Sequence, residues 1–542
     1  MRKYLSIGML CMIAVTATAV PARRGAIIRT AADGTEKEVY LHGNAFGHYM
    51  TDAGGTWLDE TSLMPMTEEA KQARLQVIGE RKQARRVQAA QMVGTKPNAA
   101  PRGLLILVNF KDKAFATPYD TINNMLNGDH FTRHYEYSYT EGGRTYNETV
   151  NSVGSARQYF HDQSYGQYNP IFDVVGPYTL SQNLAYYGKN SAGGDDANVG
   201  AMIKEACELA DKGGADFTLY DNDNNGIVDF VYVIYAGYGE ADGGPKETIW
   251  PHNYRLSYYG SKYACTVDGK KIDNYACSNE INFFSETYNG IGTFCHEFSH
   301  VLGLPDLYET NTTPKGLHTL LQWDILDYGP YLNDGNTPPN YSSYERFFMG
   351  WLTPRILKDP QEVWLDPIHI GSGDAILLCE GDKHNLVGYD PDPKIFYLLE
   401  ARKKEGWDKY LPGRGMLITR ISYNVSDWTN NTVNNNAMKM GVDLLEAKAN
   451  NTTGSAATAR ATDAYPAGAK FWSGLANHDV TDISIHSSGA VIFSYRYAPI
   501  QGLDETPASE DAIRKELRDG QVLIIRDGKT YDLFGRLVNG KW

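Results

Sequence analysis

Apolar and polar positions divide the chain into segments of different period. An apolar run from Tyr4 to Val20 follows Arg2 and Lys3, and Ala17-Thr18-Ala19 offers a small-residue cleavage site. With Pro21 and Arg23 directly behind it, the run reads as a secretory signal peptide, taken as residues 1–22, rather than a membrane anchor. From Gly25 the pattern is short strand-like pieces broken by Asp33-Gly34 and Gly54-Gly55. Thr67 then caps a charged helix that carries Glu68 and Glu69 in its first turn and is predicted to run to about Met92. Gly103 to Phe110 is a continuous apolar run of strand length, and Phe230 to Tyr235 is another. Helical spacing predicts helices over Ala201 to Asp211, Ser155 to Tyr165 and Asn340 to Trp351. From about Glu362 to Tyr497 strict alternation takes over, as in Ile395 to Leu399, Met416 to Tyr423 and Val491 to Tyr495, and predicts an all-β region. The tail from Val522 to Val538 holds two strand-like pieces joined by a turn.

This pattern divides the chain into a leader, a unit over 23–100, a core over 101–361, a β-sandwich-like accessory domain over 362–500 and a tail over 501–542. Lys96-Pro97-Asn98-Ala99-Ala100-Pro101 is a linker by composition, so the unit before it reads as a propeptide. A length of 542 residues is too great for one core. The net charge of −14 argues against a nucleic-acid partner, and after the leader no segment approaches a membrane span.

Chemistry concentrates at His296-Glu297-Phe298-Ser299-His300, followed by Val301-Leu302-Gly303-Leu304-Pro305-Asp306. A helix through Phe294 to Leu302 stacks His296 and His300 on one face, within reach of one metal ion. Glu297 sits beside them, suited to take a proton from water. Gly303 ends the helix, and the reversal brings Asp306 towards the same ion. Two imidazoles and a carboxylate leave one coordination position open, the arrangement of a catalytic zinc site. A gluzincin-like arrangement, with a distant glutamate as third ligand, is the alternative among zinc peptidases.

Asp221, Asp223, Asn225 and Asp229 place oxygens around Gly226 at a spacing that suits calcium, although position 12 of an EF-hand loop is here Tyr232. Trp323 to Gly329 follows the zinc helix at a distance suited to the floor of the site, and Tyr328 is a candidate oxyanion donor. Five cysteines follow the leader. Cys265 and Cys277 flank a hairpin turn and are candidates for a cross-strand disulfide, whereas Cys295 is expected buried as a small hydrophobe.

The stretch His296-Glu297-x-x-His300-x-x-Gly303-x-x-Asp306-Leu-Tyr308 resembles the immune inhibitor A-like secreted metallopeptidases, the M6 family of metzincin-type zinc peptidases. Gly154-Ser155, Gln163-Ser164-Tyr165-Gly166, Phe172-Asp173-Val174 and Trp250-Pro251-His252 extend the resemblance over about Gly103 to Trp351. It implies an α+β fold: a metzincin-like peptidase domain preceded by a propeptide and followed by the all-β domain. It further implies a bacterial enzyme, secreted or at the cell surface, made as a zymogen and acting on proteins or peptides, with catalytic zinc and stabilising calcium. One position departs from the metzincin pattern: the methionine expected two residues before Tyr328 is Leu326, which keeps the apolar volume. The tail is similar to those of exported Bacteroidetes proteins, as a sorting signal would be.

A non-catalytic surface adhesin or glycan-binding module on a protease fold is the competing class, and the intact Glu297 argues against it. Latency by a cysteine thiolate is excluded, since no cysteine lies between Met12 and Cys207. His42, His48 and Asp52 are the polar candidates for that task, and Arg85-Arg86 and Lys96 are the candidate cleavage sites.

Overall fold

The computed structural model describes residues 20–44, 47–89, 100–141, 144–191, 196–311, 316–371, 373–450 and 457–496, with 514–518, 521–526, 529–531 and 538 in the tail. Residues 1–19, the linker residue Lys96 and most of the tail lie outside them.

The N-terminal unit is a meander of β1 (Ala26–Thr30), β2 (Glu36–Asn44), β3 (Gly47–Thr51) and β4 (Trp57–Leu58), followed by helix α1 (Glu68–Ala89). Thr67 starts that helix as expected, its hydroxyl accepting from Ala70 N at 3.2 Å.

The central unit runs β5 (Arg102–Asn109), α2 (Tyr119–Asn127), β6 (Thr132–Glu141), β7 (Arg144–Val153), α3 (Ala156–Gln163), β8 (Ile171–Thr179), α4 (Leu184–Gly188), α5 (Val199–Lys212), β9 (Val231–Tyr238), β10 (His252–Arg255), β11 (Cys265–Val267), β12 (Lys270–Ile272), β13 (Asn274–Ile281), α6 (Ile291–Val301) and α7 (Ser343–Phe348). Its main sheet has the order β10-β13-β9-β5-β8, with β10 antiparallel and the other pairings parallel. Interior parallel strands are covered on both faces, and that is why β5 and β9 are apolar throughout. Leu105 and Leu107 face the core that holds α3 and α6, while Leu104, Ile106 and Val108 face the core that holds α5. The unit is thus a mixed α/β layer structure. β6 and β7 form a separate two-stranded hairpin along its side.

The remainder is β14 (Arg355–Ile356), β15 (Gln361–Leu365), β16 (Ile376–Leu378), β17 (Ile395–Arg402), β18 (Gly415–Ser422), α8 (Val425–Thr429), β19 (Val442–Leu444), β20 (Val480–Ile485) and β21 (Val491–Tyr495). These strands form a five-stranded sheet, β14-β16-β17-β18-β19, and a three-stranded sheet, β15-β21-β20. Alternation sorts the faces. Leu399, Ala401, Met416 and Ile418 pack against Val363, Leu365 and Phe493 of the smaller sheet. Leu377, Phe396, Leu398 and Leu417 instead join the same core as α6. The β region therefore shares a core with the catalytic unit. In the tail, β22 (Arg514–Arg518), β23 (Gln521–Arg526) and β24 (Lys529–Tyr531) pair in sequence.

The N-terminal unit is docked by polar contacts as well as apolar ones. Val20 to Ala22, assigned to the leader from sequence, are buried in one cluster with Ile27, Val39, Ala241 and Trp250. Their burial sets this short stretch against the central unit. His48 is buried, stacks on Trp250 at 4.7 Å and lies 3.0 Å from Glu240 Oε2. Glu60, paired with Arg74 at 2.7 Å, accepts from Asn190, which also reaches Glu240. Burial alone would lower the pKa of His48, but the charge of Glu240 and its hydrogen bond outweigh this and raise it to about 9.

A histidine pKa raised in the docked state stabilises docking fully below the free value near 6.5, and that stabilisation is lost as pH climbs through about 9. Hydrogen exchange in β2 and β3 should therefore quicken between pH 7 and 10 beyond its intrinsic base dependence. His48→Ala should remove that excess, leaving one loose state at every pH.

Candidate active site

Helix α6 places His296 and His300 one turn apart, and both are buried together with Glu297 and Asp306. Gly303 adopts φ 95°, a conformation open to glycine, and its N–H closes the last turn on His300 O at 3.0 Å. The chain then reverses and delivers Asp306. His296 Nε2 and His300 Nε2 are 3.1 Å apart, and Asp306 Oδ1 lies 3.3 Å from each. Among the described residues this is the one cluster of three or more such groups arranged to hold a metal ion.

The outer hydrogen bonds fix which nitrogens face inward. His296 Nδ1 donates to Ile325 O and His300 Nδ1 to Leu304 O, each at 2.7 Å. A carbonyl accepts only, so both rings carry their proton at Nδ1 and turn the Nε2 lone pairs towards each other and towards Asp306 Oδ1. That oxygen has no hydrogen-bond donor. Three buried lone-pair donors converging without a proton between them fit a divalent cation.

Sequence reasoning missed the residue that aims Asp306. Asn431, which follows α8 in the β region, donates from Nδ2 to Asp306 Oδ2 at 2.5 Å and accepts from Asp306 N at 2.7 Å. It takes φ 53°, a conformation asparagine tolerates better than most residues. Its only trace in the sequence is the Asn430-Asn431 pair, which carries no metal-ligand pattern.

Burial pushes the Glu297 carboxyl up to about 8, against N–H bonds from Val20 and Asn253 that favour the charged form. The Val20 N–H donates to Glu297 Oε1 at 2.9 Å, so the start of the N-terminal unit lies on the candidate base. His42, His48 and Asp52 do not reach it. His42 bonds Thr51 Oγ1, His48 pairs with Glu240, and Asp52 caps its own turn at Gly54 and Thr56. Leu326 is fully buried under α6 in the position expected for the methionine, its carbonyl accepting from Leu307 N at 2.8 Å. Tyr328 opens towards the cleft with the Arg24 guanidinium 3.9 Å over its ring.

The acidic loop differs from expectation. Lys270 Nζ sits 2.6 Å from Asp221 Oδ2, and Asp221 also accepts from Asn225 N and Gly226 N. Asp223 bonds Asn225, and Asp229 is used by Asn222, so these carboxylates do not converge on one point. The turn is closed by a lysine. The Cys265–Cys277 bridge is not formed. All five described cysteines are free; Cys265 on β11 bonds Cys207 of α5, and Cys277 on β13 lies 3.7 Å from His252. The hairpin turn pairs Cys265 with Ile272, two residues short of the strand that carries Cys277. Cys295 is buried as expected.

Residues 89–352 match the catalytic domain of the immune inhibitor A peptidase M6 family. Over this stretch the chain is an M6-type peptidase domain. It is 29% identical over 283 residues to the pre-pro-metalloprotease PrtV of Vibrio cholerae serotype O1, an alignment covering 45% of this chain and 29% of that protein. With immune inhibitor A of Bacillus thuringiensis subsp. alesti it shares 26% identity over 272 residues, covering 45% of this chain and 39% of the relative. The chain thus spans well under half the length of these M6 relatives. No helix among the described residues is long and apolar enough to cross a membrane.

Removing the hydrogen bonds that orient a metal-ligating carboxylate typically costs about 10- to 100-fold in affinity. Asn431→Ala should weaken metal retention by that order, measured by competition with a chromogenic chelator, while the thermal unfolding of the metal-free protein changes far less.

Proposed function

We propose that the chain is an exported zinc endopeptidase of the metzincin type, made as a latent precursor. The observation that carries this reading is the convergence of His296, His300 and Asp306 beside Glu297, with a backbone amide of the N-terminal unit bonded to that glutamate. Zinc held by His296, His300 and Asp306 would polarise the scissile carbonyl and acidify the attacking water. Glu297 takes the proton of that water and hands it to the leaving amine, which must then stand within hydrogen-bond reach of its carboxylate. Its place on α6 next to His296, buried beside the three ligand groups, is where a proton carrier between that water and the amine must stand. Tyr328 at the cleft wall is the proposed donor to the oxyanion once Arg24 has left its ring.

Latency follows from occupancy. Val20 N bonds Glu297, Trp250 Nε1 bonds Val20 O at 3.3 Å, and the Tyr331 hydroxyl bonds Pro21 O at 2.6 Å. A peptide substrate needs the same glutamate, so the N-terminal segment and the substrate exclude each other. Cleavage at Arg85-Arg86 or Lys96 would free the unit for release. A calcium ion at Asp221, Asp223, Asn225 and Asp229 remains a proposed stabiliser, and it would have to displace Lys270.

His300→Ala should lose metal and activity together. Glu297→Gln should keep stoichiometric metal and lose about 10³-fold or more in casein hydrolysis, as expected when the proton carrier is removed. Activity that survives Glu297→Gln, or glycan binding without any hydrolysis, would favour the adhesin class. Separately, the secreted chain with its N-terminal unit intact by mass should be inactive until cleavage after residues 85–96. Equal activity of intact and processed forms would make the unit a permanent domain.

A further inference from the structure

The segment Val20 to Arg24 is seated as a peptide product would be. Its main chain is held at four points: Val20 N to Glu297, Val20 O to Trp250, Pro21 O to Tyr331 and Arg23 N to Ala241 O at 2.9 Å. Bonds to backbone atoms grip any sequence, so they bring no selectivity. On the mechanism proposed above, the nitrogen beside Glu297 is the amine released by cleavage. Val20 then occupies the place of the first residue after the cut, and Arg23 that of the fourth.

Arg23 is the one side chain of the segment that meets a built polar site. Its Nη1 lies 3.7 Å from Asp334 Oδ1, and its guanidinium stands 3.8 Å over the Phe284 ring. Asp334 is 8% exposed; its Oδ2 accepts from Tyr135 at 2.7 Å, but Oδ1 has no hydrogen bond. Asp242, 6% exposed, also has one oxygen without a partner, and burial pushes its carboxyl up to about 7 against the pull of Arg23. Tyr137 of β6 bonds the guanidinium from the hairpin side. Arg24, by contrast, meets the face of Tyr328 and leaves a buried Nη1 unpaired.

We infer that the cleft carries a pocket for a basic side chain, in which Asp334 binds the cationic group of the fourth residue after the scissile bond. Arg23 is its resident occupant in the precursor. With the segment gone, the Asp334 oxygen that has no hydrogen bond faces that space, and an uncompensated carboxylate in so sheltered a place is costly. An arginine or lysine relieves that cost, a neutral side chain does not, and an acidic one adds to it. Phe284 supplies the flat apolar wall on which a guanidinium stacks. This inference rests on the peptidase reading for the direction and the counting of residues, and not for the charge selectivity.

The test uses the full secreted chain carrying Arg23→Glu, which sets a carboxylate against Asp334 and expels the segment. The pentapeptide Val-Pro-Ala-Arg-Arg is then titrated in by calorimetry beside Val-Pro-Ala-Ala-Arg and Val-Pro-Ala-Glu-Arg. The arginine peptide should bind about tenfold or more tighter than the alanine peptide, the glutamate peptide weakest of all. Adding Asp334→Asn should shrink the arginine-to-alanine ratio to about threefold or less, and adding Asp334→Lys should favour the glutamate peptide. A ratio taken within one protein does not depend on the fraction folded, so a general loss of structure cannot imitate this result. Equal affinities for the three peptides would overturn the pocket. Independently of that variant, a proteome digest by the unaltered chain after its own processing should be enriched in arginine and lysine at the fourth position after the cut. Cleavage with a flat profile there also overturns the pocket. Charge-selective peptide binding by a chain that cleaves nothing would keep the pocket and overturn the peptidase reading.

Discussion

Four ionisable groups at the centre of the molecule, His296, Glu297, His300 and Asp306, are withdrawn from water together. Burying them without partners would cost several kcal/mol each, more than a domain of ordinary stability can lose. The fold is arranged so that partners arrive from every side. The carbonyls of Ile325 and Leu304 take the outer imidazole protons, and Asn431 takes the outer oxygen and the amide of Asp306. What stays unpaired is the inner face, three lone-pair donors on one point, and that residue of imbalance is what a cation fits.

The same requirement explains why the β region is not a loose appendage. Asn431 can aim Asp306 only if the loop after α8 is fixed relative to α6, and the large sheet achieves this by turning one face into the catalytic core. A buried ionic knot reinforces the joint. Arg402 is fully buried, bonds Asp408 through two nitrogens at 2.8 and 2.6 Å, pairs with Glu400 and donates to Asn340 O. Its partner Glu400 accepts from Ser343 N at the start of α7. A buried pair of this kind adds little net stability, but its geometry is directional and holds register between the two units.

The N-terminal unit is held in a different way. Its apolar cluster is small, formed around Val20, Ile27, Val39 and Trp250, and much of its docking is ionic, through His48, Glu60, Arg74 and Glu240. Contacts of that kind orient strongly while adding less net affinity than an equal area of packed hydrocarbon. Its first residues lie in the cleft through main-chain bonds, and one side chain, Arg23, is met by complementary charge.

Local signals in the sequence were enough for the helix through His296 and His300, the glycine that ends it, the apolar strands β5 and β9, and the alternating strands β17, β18 and β21. Each depends on residues within one or two turns, where period and backbone sterics act directly. The same local logic failed where a partner came from far along the chain. Cys265 finds Cys207 instead of Cys277. Nor does hydropathy report that Val20 and Ala22 pack into one buried cluster with Trp250. Asn431 reaches Asp306 across 125 positions, and Val20 reaches Glu297 across 277. The sequence by itself determined which atoms could bind a metal ion and carry a proton, because that chemistry is written in residue type and helical spacing. Only the tertiary structure decided what aims those atoms and what occupies their cleft, because hydrogen bonds and ion pairs depend on separation in space, which distance along the chain does not report.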